Sequence, residues 1–423
     1  MKATDAVDAV DAPDVVALGE SMVTFLPTRP GRLADVPSFD RAIGGAESNV
    51  ACGLAAAGHA ARWVSRVGAD GFGDHLVETI GGLGVDVSLV ARDPARPTGV
   101  YFRTAGDRAT DAHEVAYYRA GSAASAMSVA NVDLAAVRAG RILHVSGITA
   151  ALSADCRELL RELTAPAEGG RPVVSFDVNH RPGLWGSDDD SSRVLLELAR
   201  RADIVFVGED EAAETWGVTG GPTAIREALP EPEVLVVKQG AEGATAFRRG
   251  GPGGSSAAGG WGLGAQFPAP LEGRFSRVSF PAAGMRAAWG DGGPPARAKP
   301  RVGEGGRSGT PQARAGETPR PAPTDGTFEP APTVQVAAAV GAGDAFAAGF
   351  LSGVLRGLPL RRTLRLGHLF AAAALTTPAD LAPPPARDTT DRLTALDDTA
   401  WERLRLGPGW TQADAADEEV QSP

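Results

Sequence analysis

The sequence predicts an α/β protein: a largely parallel β-sheet covered by helices on both faces, with a small β flap projecting from it. Three observations carry this. Mostly apolar runs of strand length alternate with segments of helical period, as in sheets buried on both faces. Glycines punctuate the junctions between them. Two further stretches alternate like half-exposed strands and lie outside that rhythm.

The elements follow in order. "DVVALG" reads as the first strand, "GAESNVACGLAAAG" as a helix and "ARWVSRVG" as the next strand. "DGFGDHLVETIGGLG" is a helix with its own glycine stop. "RILHVSG", "PVVSFDVN", "DIVFVG" and "EVLVVKQG" read as strands. Between them lie the helices "SADCRELLRELTAPA", "SSRVLLELARRA" and the short "EDEAAETWG". Two long helices, "AGDAFAAGFLSGVLRG" and "LRRTLRLGHLFAAAALTT", close the pattern. "SMVTFLP" and "TGVYFRTAGDRATDAHEVAYYRAG" form the expected flap, drawn from about residues 20–38 and 97–120.

Composition narrows the class. The chain has 423 residues and a net charge of −11. Nucleic acid is therefore not an expected partner, and an anionic ligand needs a locally basic pocket. Two cysteines, Cys52 and Cys156, exclude a disulfide scaffold and a cysteine-based metal site. No apolar run reaches the roughly 18 residues of a membrane span. The start lacks the apolar core of a signal peptide, so a cytoplasmic protein is expected.

Residues 1–12 and 411–423 read as acidic tails. Residues 249–327, rich in Gly, Pro, Ala and Arg, read as a disordered insertion. The insertion carries ten Lys/Arg against five Asp/Glu, so a basic loop sits on an acidic body. Trp261, Phe275 and Phe280 are its candidate anchors, and a bound anion such as RNA is the sharper alternative to plain solvation. Either "FPAP" (267–270) or "FEPAP" (328–332) resumes the sheet. The folded domain is expected over 13–248 and 328–395.

Five motifs are candidates for chemistry. In "VGAGDAFAAGF", Gly341, Ala342 and Gly343 precede or open a helix whose free N–H groups favour an anion. Asp344 beside them is a general base or simply a helix cap. The Gly-Lys-Ser/Thr ending of a Walker A loop is absent. In "AIGGAESNV", Gly44 and Gly45 let a sugar approach the backbone near Asn49, or merely make a tight turn. In "FDVNHRPGLW", Asp177, Asn179 and Arg181 alternate at the end of a strand, where parallel sheets bind ligands. In "AYYRAGS", Tyr117 and Arg119 lie on the flap, with Arg119 suited to a carboxylate. In "VVKQGAEGATAF", the residues Lys238 to Gly243 border a nucleotide or make a plain hairpin. The six histidines have no metal-ligand spacing.

The order of these motifs resembles that of the PfkB (ribokinase-like) family of carbohydrate kinases. "GGAESNVACGLAAAGHAARWVSRVGADGFG" is similar to its first signature and "VGAGDAFAAGFLSG" to its second. "RPTGVYFR", "YYRAGSAAS", "VSGITAALS" and "DVNHRPGLW" look most like 2-keto-3-deoxygluconate kinases.

The resemblance implies a ribokinase-like fold and transfer of the ATP γ-phosphate to a sugar hydroxyl with Mg²⁺. It makes Asp344 the base and the 341–343 backbone the anion hole. Gly44, Gly45, Asn49, Tyr101, Tyr117, Arg119, Arg181 and Asp380 would surround the sugar acid. Asn179, Lys238, Gly240, Gly243 and His368 would face ATP, and Glu211 would organise Mg²⁺ indirectly. Kinases of another sugar, such as fructose, and a non-catalytic sugar or nucleotide binder are the alternatives. The resemblance also implies a homo-oligomer built through the flap. Where the family commonly has Asp-Thr before Gly-Ala-Gly-Asp, this chain has Ala338 and Ala339, so weak or absent activation by a monovalent cation is expected. Gly208 replaces the Asn of the family's Asn-x-x-Glu element.

Overall fold

The computed structural model describes residues 12–104, 114–166, 171–185, 190–249, 326–338, 340–377 and 381–412. The expectations for the bulk of both tails, for the body of the insertion with Trp261, Phe275, Phe280 and "FPAP", and for Ala339 and Asp380 lie outside the described residues.

The chain enters at β1 (Val15–Leu18), which has no exposed surface. It crosses into β2 (Met22–Pro27), returns as β3 (Phe39–Gly44) and runs directly into α1 (Ala46–Ala56). After β4 (Ala61–Gly68), α2 (Gly71–Gly82) begins on Asp70, whose carboxylate accepts from the N–H groups of Phe72 and Gly73. β5 (Val90–Asp93), β6 (Val100–Arg103) and β7 (Val115–Tyr118) follow.

The second half builds by repeated strand–helix units: α3 (Leu134–Arg138), β8 (Ile142–Ser146), α4 (Gly147–Leu152) and α5 (Ala154–Thr164). Then come β9 (Val173–Asp177), α6 (Ser191–Arg201), β10 (Ile204–Gly208), α7 (Glu209–Trp216) and α8 (Gly221–Ala228). β11 (Val234–Lys238) and β12 (Gly243–Arg248) precede the insertion, and β13 (Thr327–Pro330) follows it, so "FEPAP" is the stretch that rejoins the sheet. The chain ends through β14 (Thr333–Val334), α9 (Ala342–Leu355), α10 (Leu360–Leu375), α11 (Arg387–Thr394), α12 (Asp398–Glu402) and β15 (Arg405–Leu406).

The main sheet has nine strands in the order β13-β12-β11-β10-β9-β8-β1-β4-β5. From β11 to β5 every pairing is parallel, while β12 is antiparallel to both its neighbours. Alternate residues of the same strand serve opposite faces. Val15, Trp63 and Phe206 face α1, α9 and α10, whereas Val16, Leu143, Val174 and Val205 face α5 and α6. β1 lies third from the β5 edge, with the chain growing first toward β5 and later, from β8, toward β13. The reversal falls between β1 and β8, and the crevice beyond their carboxyl ends is where such sheets bind ligands.

The flap is a separate four-stranded sheet, β3-β2-β6-β7. It extends past the predicted segment to Gly44, because β3 pairs with the full length of β2. The stretch from Lys238 to Gly243 is the turn of an antiparallel hairpin, with Gly240 at φ 59°. The small residues of α9 have a packing reason. A Cβ on Gly349 would fall 2.6 Å from the carbonyl oxygen of Leu366, so only glycine lets α9 and α10 approach this closely.

Candidate active site

The loops at the carboxyl ends of the strands meet at the start of α9. Gly341 is the N-cap residue, at φ 77° and ψ −4°, and no side chain caps the helix. Its left-handed backbone favours glycine and leaves the first-turn N–H groups without a side-chain partner. Asp344 is the third residue of the helix, so the capping position is not its own. Its Oδ2 instead accepts a 2.9 Å hydrogen bond from Asn49 Nδ2 on α1. Asn49 Oδ1 is buried and has no partner among the described residues. It is an acceptor in search of a donor such as a hydroxyl.

Burial pushes the Asp344 carboxyl up to about 7. The bond from Asn49 opposes that shift, Asp177 adds to it, Lys238 opposes it and Glu47 adds to it. The result is a carboxyl with a proton affinity well above that of a surface aspartate.

A cation stands on the other side of the helix start. Lys238, at the end of β11, places Nζ 3.0 Å from Asp177 Oδ2 at the end of β9. A Cβ built on Gly343 would lie 3.6 Å from the same Nζ, so the ammonium borders the 341–343 turn. Burial acts to lower the Lys238 proton affinity, but the charges of Asp177 and Glu211 outweigh it and leave it raised. Glu211 accepts from the N–H groups of Gly208, at 3.0 Å, and His180. It ties the exits of β9 and β10 together, and burial raises its carboxyl.

The exit of β9 departs from the expected alternation. Asp177 and Asn179 are buried, Arg181 is exposed, and its guanidinium donates to the His180 carbonyl at 2.8 Å. Asn179 adopts φ 41°, alone among the described non-glycine residues, and this twist breaks the one-sided projection. A backbone held there is a mark of local strain at a site.

The flap closes over the end of β1. Arg119 pairs with Glu20, whose side chain is 1% exposed, and Ser122 Oγ donates to the same carboxylate. Arg119 Nε is buried without a partner among the described residues. The guanidinium lies 5.9 Å from the Tyr117 ring centre, and the Tyr117 and Tyr101 rings are 5.4 Å apart. Gly45 has a structural duty as well, since a Cβ there would strike the Glu20 carbonyl at 2.4 Å. Gly44 ends β3 in register with Met22.

The remaining predicted residues lie toward the β12–β13 edge. His368 is buried, with Nε2 3.1 Å from the Glu329 carbonyl and its ring against Phe346. Gly243 lets β13 pass, because a Cβ would meet the Glu329 carbonyl at 2.3 Å.

Two acids escaped the sequence reading. Glu20 follows the first strand directly, and that position at the carboxyl end of a parallel strand was the available signal. Glu47 is fully buried and accepts from Ser146 N–H, Ser146 Oγ and Thr149 Oγ1, joining α1 to the end of β8. Its signal was weaker, a single acid amid small residues.

A buried carboxyl beside an uncapped helix start, with an ammonium bordering the same turn, is an arrangement that phosphoryl transfer can use. The profile of the pfkB family of carbohydrate kinases matches residues 12–257 and 323–387, and the chain belongs to that family. It is a sugar kinase.

The chain is 34% identical to the 2-dehydro-3-deoxygluconokinase of Thermoproteus tenax over 239 residues, which span 56% of this chain and 72% of the relative. It is 36% identical to the enzyme of the same name from Bacillus subtilis (strain 168), over 46% of this chain and 60% of the relative. Fructokinase-1 of Oryza sativa subsp. japonica is 31% identical over 56% of this chain and 73% of its own length. Among solved structures, a PfkB protein from Polaromonas sp. JS666 superposes with a TM-score of 0.64 at 27% identity, covering 90% of this chain and 99% of that one. A sugar kinase from Pyrococcus horikoshii in complex with ATP shares the fold, with a TM-score of 0.62 at 21% identity over 92% of this chain and 100% of that one. ATP use follows from the family. No helix among the described residues is long and apolar enough to cross a membrane.

Proposed function

We propose that this kinase phosphorylates 2-keto-3-deoxygluconate on its terminal hydroxyl, giving the 6-phosphate and ADP. The observation that carries the reading is Asp344, held by Asn49 at the uncapped start of α9 with its carboxyl raised to about 7. Asp344 takes the proton as the hydroxyl oxygen forms its bond to the γ-phosphorus, and the bond from that phosphorus to the β–γ bridging oxygen breaks. The backbone N–H groups of 341–343 hold the charge on the transferred phosphoryl oxygens. Lys238 adds a fixed positive charge behind that turn.

Asp177 is paired with Lys238, and both Glu211 oxygens accept backbone N–H groups. This donor set suits Mg²⁺ carried on the nucleotide phosphates rather than caged by protein. When bound, Mg²⁺ would neutralise phosphate charge, and Glu211 and Asp177 would be the acids that steady it through water. Asn179, Gly240 and Gly243 border the nucleotide side, while the buried His368 supports β13.

The acid substrate is supported by Arg119. One face of its guanidinium meets Glu20, while Nε still lacks an acceptor. A substrate carboxylate would complete it, with Tyr101 and Tyr117 covering the sugar and Arg181 at the rim. The exposed edge of the flap, with Tyr117 at 52% and Tyr118 at 66%, supports a homodimer through that sheet.

The test is ADP formation over a panel of sugars and sugar acids. Turnover with 2-keto-3-deoxygluconate well above that with fructose is expected. Faster turnover with fructose would transfer the assignment to the second reading, which the fructokinase relatives favour. Nucleotide or sugar binding without turnover on any member of the panel would leave a non-catalytic binder.

A further inference from the structure

Between β13 and the catalytic turn the chain reads Ala-Pro-Thr-Val-Gln-Val-Ala-Ala-Ala-Val. From Val336 to Val340 every side chain is apolar, so no polar side chain of that stretch can anchor it. Val336 and Val340 are 43% and 36% exposed, so burial of these two side chains does little to hold it. What the structure supplies is backbone pairing from elsewhere in the chain. Thr333 N–H donates to Leu404 O at 3.2 Å and Gln335 N–H to Leu406 O at 2.9 Å, in a short parallel ladder of β14 with β15. Ala337 N–H then reaches Leu375 O, at the end of α10, at 2.7 Å.

The strand that makes this ladder is itself well seated. Trp401, 1% exposed, packs with Leu369, Ala372, Leu393 and Leu406, and its Nε1 donates to Pro330 O at 2.8 Å. Arg365 lies 4.8 Å from the Trp401 ring centre, donates to Asp398 at 3.0 Å and to Leu396 O, and reaches Glu329 on β13 at 2.6 Å. Residues 388–412 lie beyond the family match, which stops at residue 387.

We propose that residues 396–412 are a brace that holds the approach to the catalytic turn in register, taking the place of the side-chain anchors that this approach lacks. The 341–343 turn needs a fixed backbone to present its N–H groups, and a displacement of about 1 Å in such a group costs roughly a hundredfold in rate. The inference rests on the kinase reading of that turn, and its structural half can be tested apart from it.

Amide hydrogen exchange on the unmodified protein is the first measurement. The Thr333 and Gln335 amides should be protected well beyond those of exposed loops. Free exchange at both would overturn the brace whatever the activity. The second is Gln335→Pro in the full chain, which removes one ladder N–H and leaves α12 and its packing in place. At an unchanged melting temperature, kcat should fall at least about tenfold with KM for the sugar acid little altered. The amides of 341–345 should exchange faster. A folded Gln335→Pro protein with wild-type kcat would also overturn it. A wild-type protein with no sugar-kinase activity would sink the kinase reading instead, while the exchange data still judge the brace.

Discussion

The start of α9 and the flap face the same crevice, yet they are built from opposite materials. The helix is made of small residues and is buried from Phe346 to Leu355, locked against α10 at a contact that admits no side chain. The flap is aromatic and open, with Tyr118 two-thirds exposed and its cation already paired to Glu20. One region places backbone and carboxylate rigidly. The other presents exposed aromatic rings over a cation that is nearly buried against Glu20. On the proposed reading the helix carries chemistry and the flap selection, so changes in the first should act on kcat and changes in the second on KM.

The largest expected effect tests the helix side. Asp344→Asn should lower kcat by about a thousandfold, within the range for loss of a general base, with the sugar KM little changed. In the wild type, kcat/KM should fall as pH drops below about 7, because the base acts when ionised. Near wild-type kcat in the Asp344→Asn protein would dissolve the division of labour.

Next comes the flap. Arg119→Ala should raise KM for the sugar acid by roughly ten- to a hundredfold, the cost of a lost charged hydrogen bond, and should leave a neutral sugar almost untouched. An equal rise for both would mean that Arg119 serves only to hold Glu20.

The packing contrast predicts a stability effect. Gly349→Val should destabilise the protein by about 1–3 kcal/mol through overpacking, whereas Tyr118→Ala on the open flap should change stability little. Chemical denaturation compares the two directly.

A pH-dependent stability effect follows from linkage. Asp344 has a folded pKa raised from 3.8 to about 7. Its contribution to stability is therefore complete below about pH 4 and is lost as pH rises through 7. Relative to wild type, Asp344→Asn should melt higher at pH 8 than at pH 5. A difference independent of pH would mean that the carboxyl is not buried as described.

Much of this was legible beforehand, for identifiable reasons. Strands such as "IVFVG" and "VLVVK" announce themselves because both their faces are buried. The helix α9 shows itself by glycines that only close packing or a left-handed turn requires. The strand β3 was not legible, since "FDRAIG" becomes a strand only by pairing with β2. The role of Asp344 stood open because an acid at a helix start looks the same whether it caps the helix or meets Asn49. Glu20 and Glu47 were missed because a lone acid has no period.

By itself, then, the sequence determined the alternation of strands and helices, the family and the motif that opens α9. These depend on short-range sterics and on hydrophobic period, which are written locally. Only the tertiary structure decided which polar groups meet. Asn49 and Asp344 lie 295 residues apart, Lys238 and Asp177 lie 61 apart, and Thr333 finds Leu404 through a ladder with no side-chain signature. Strand order brings such groups together, and burial at the junction raises the Asp344 carboxyl. Neither strand order nor burial leaves a repeat in the chain from which the pairing can be read.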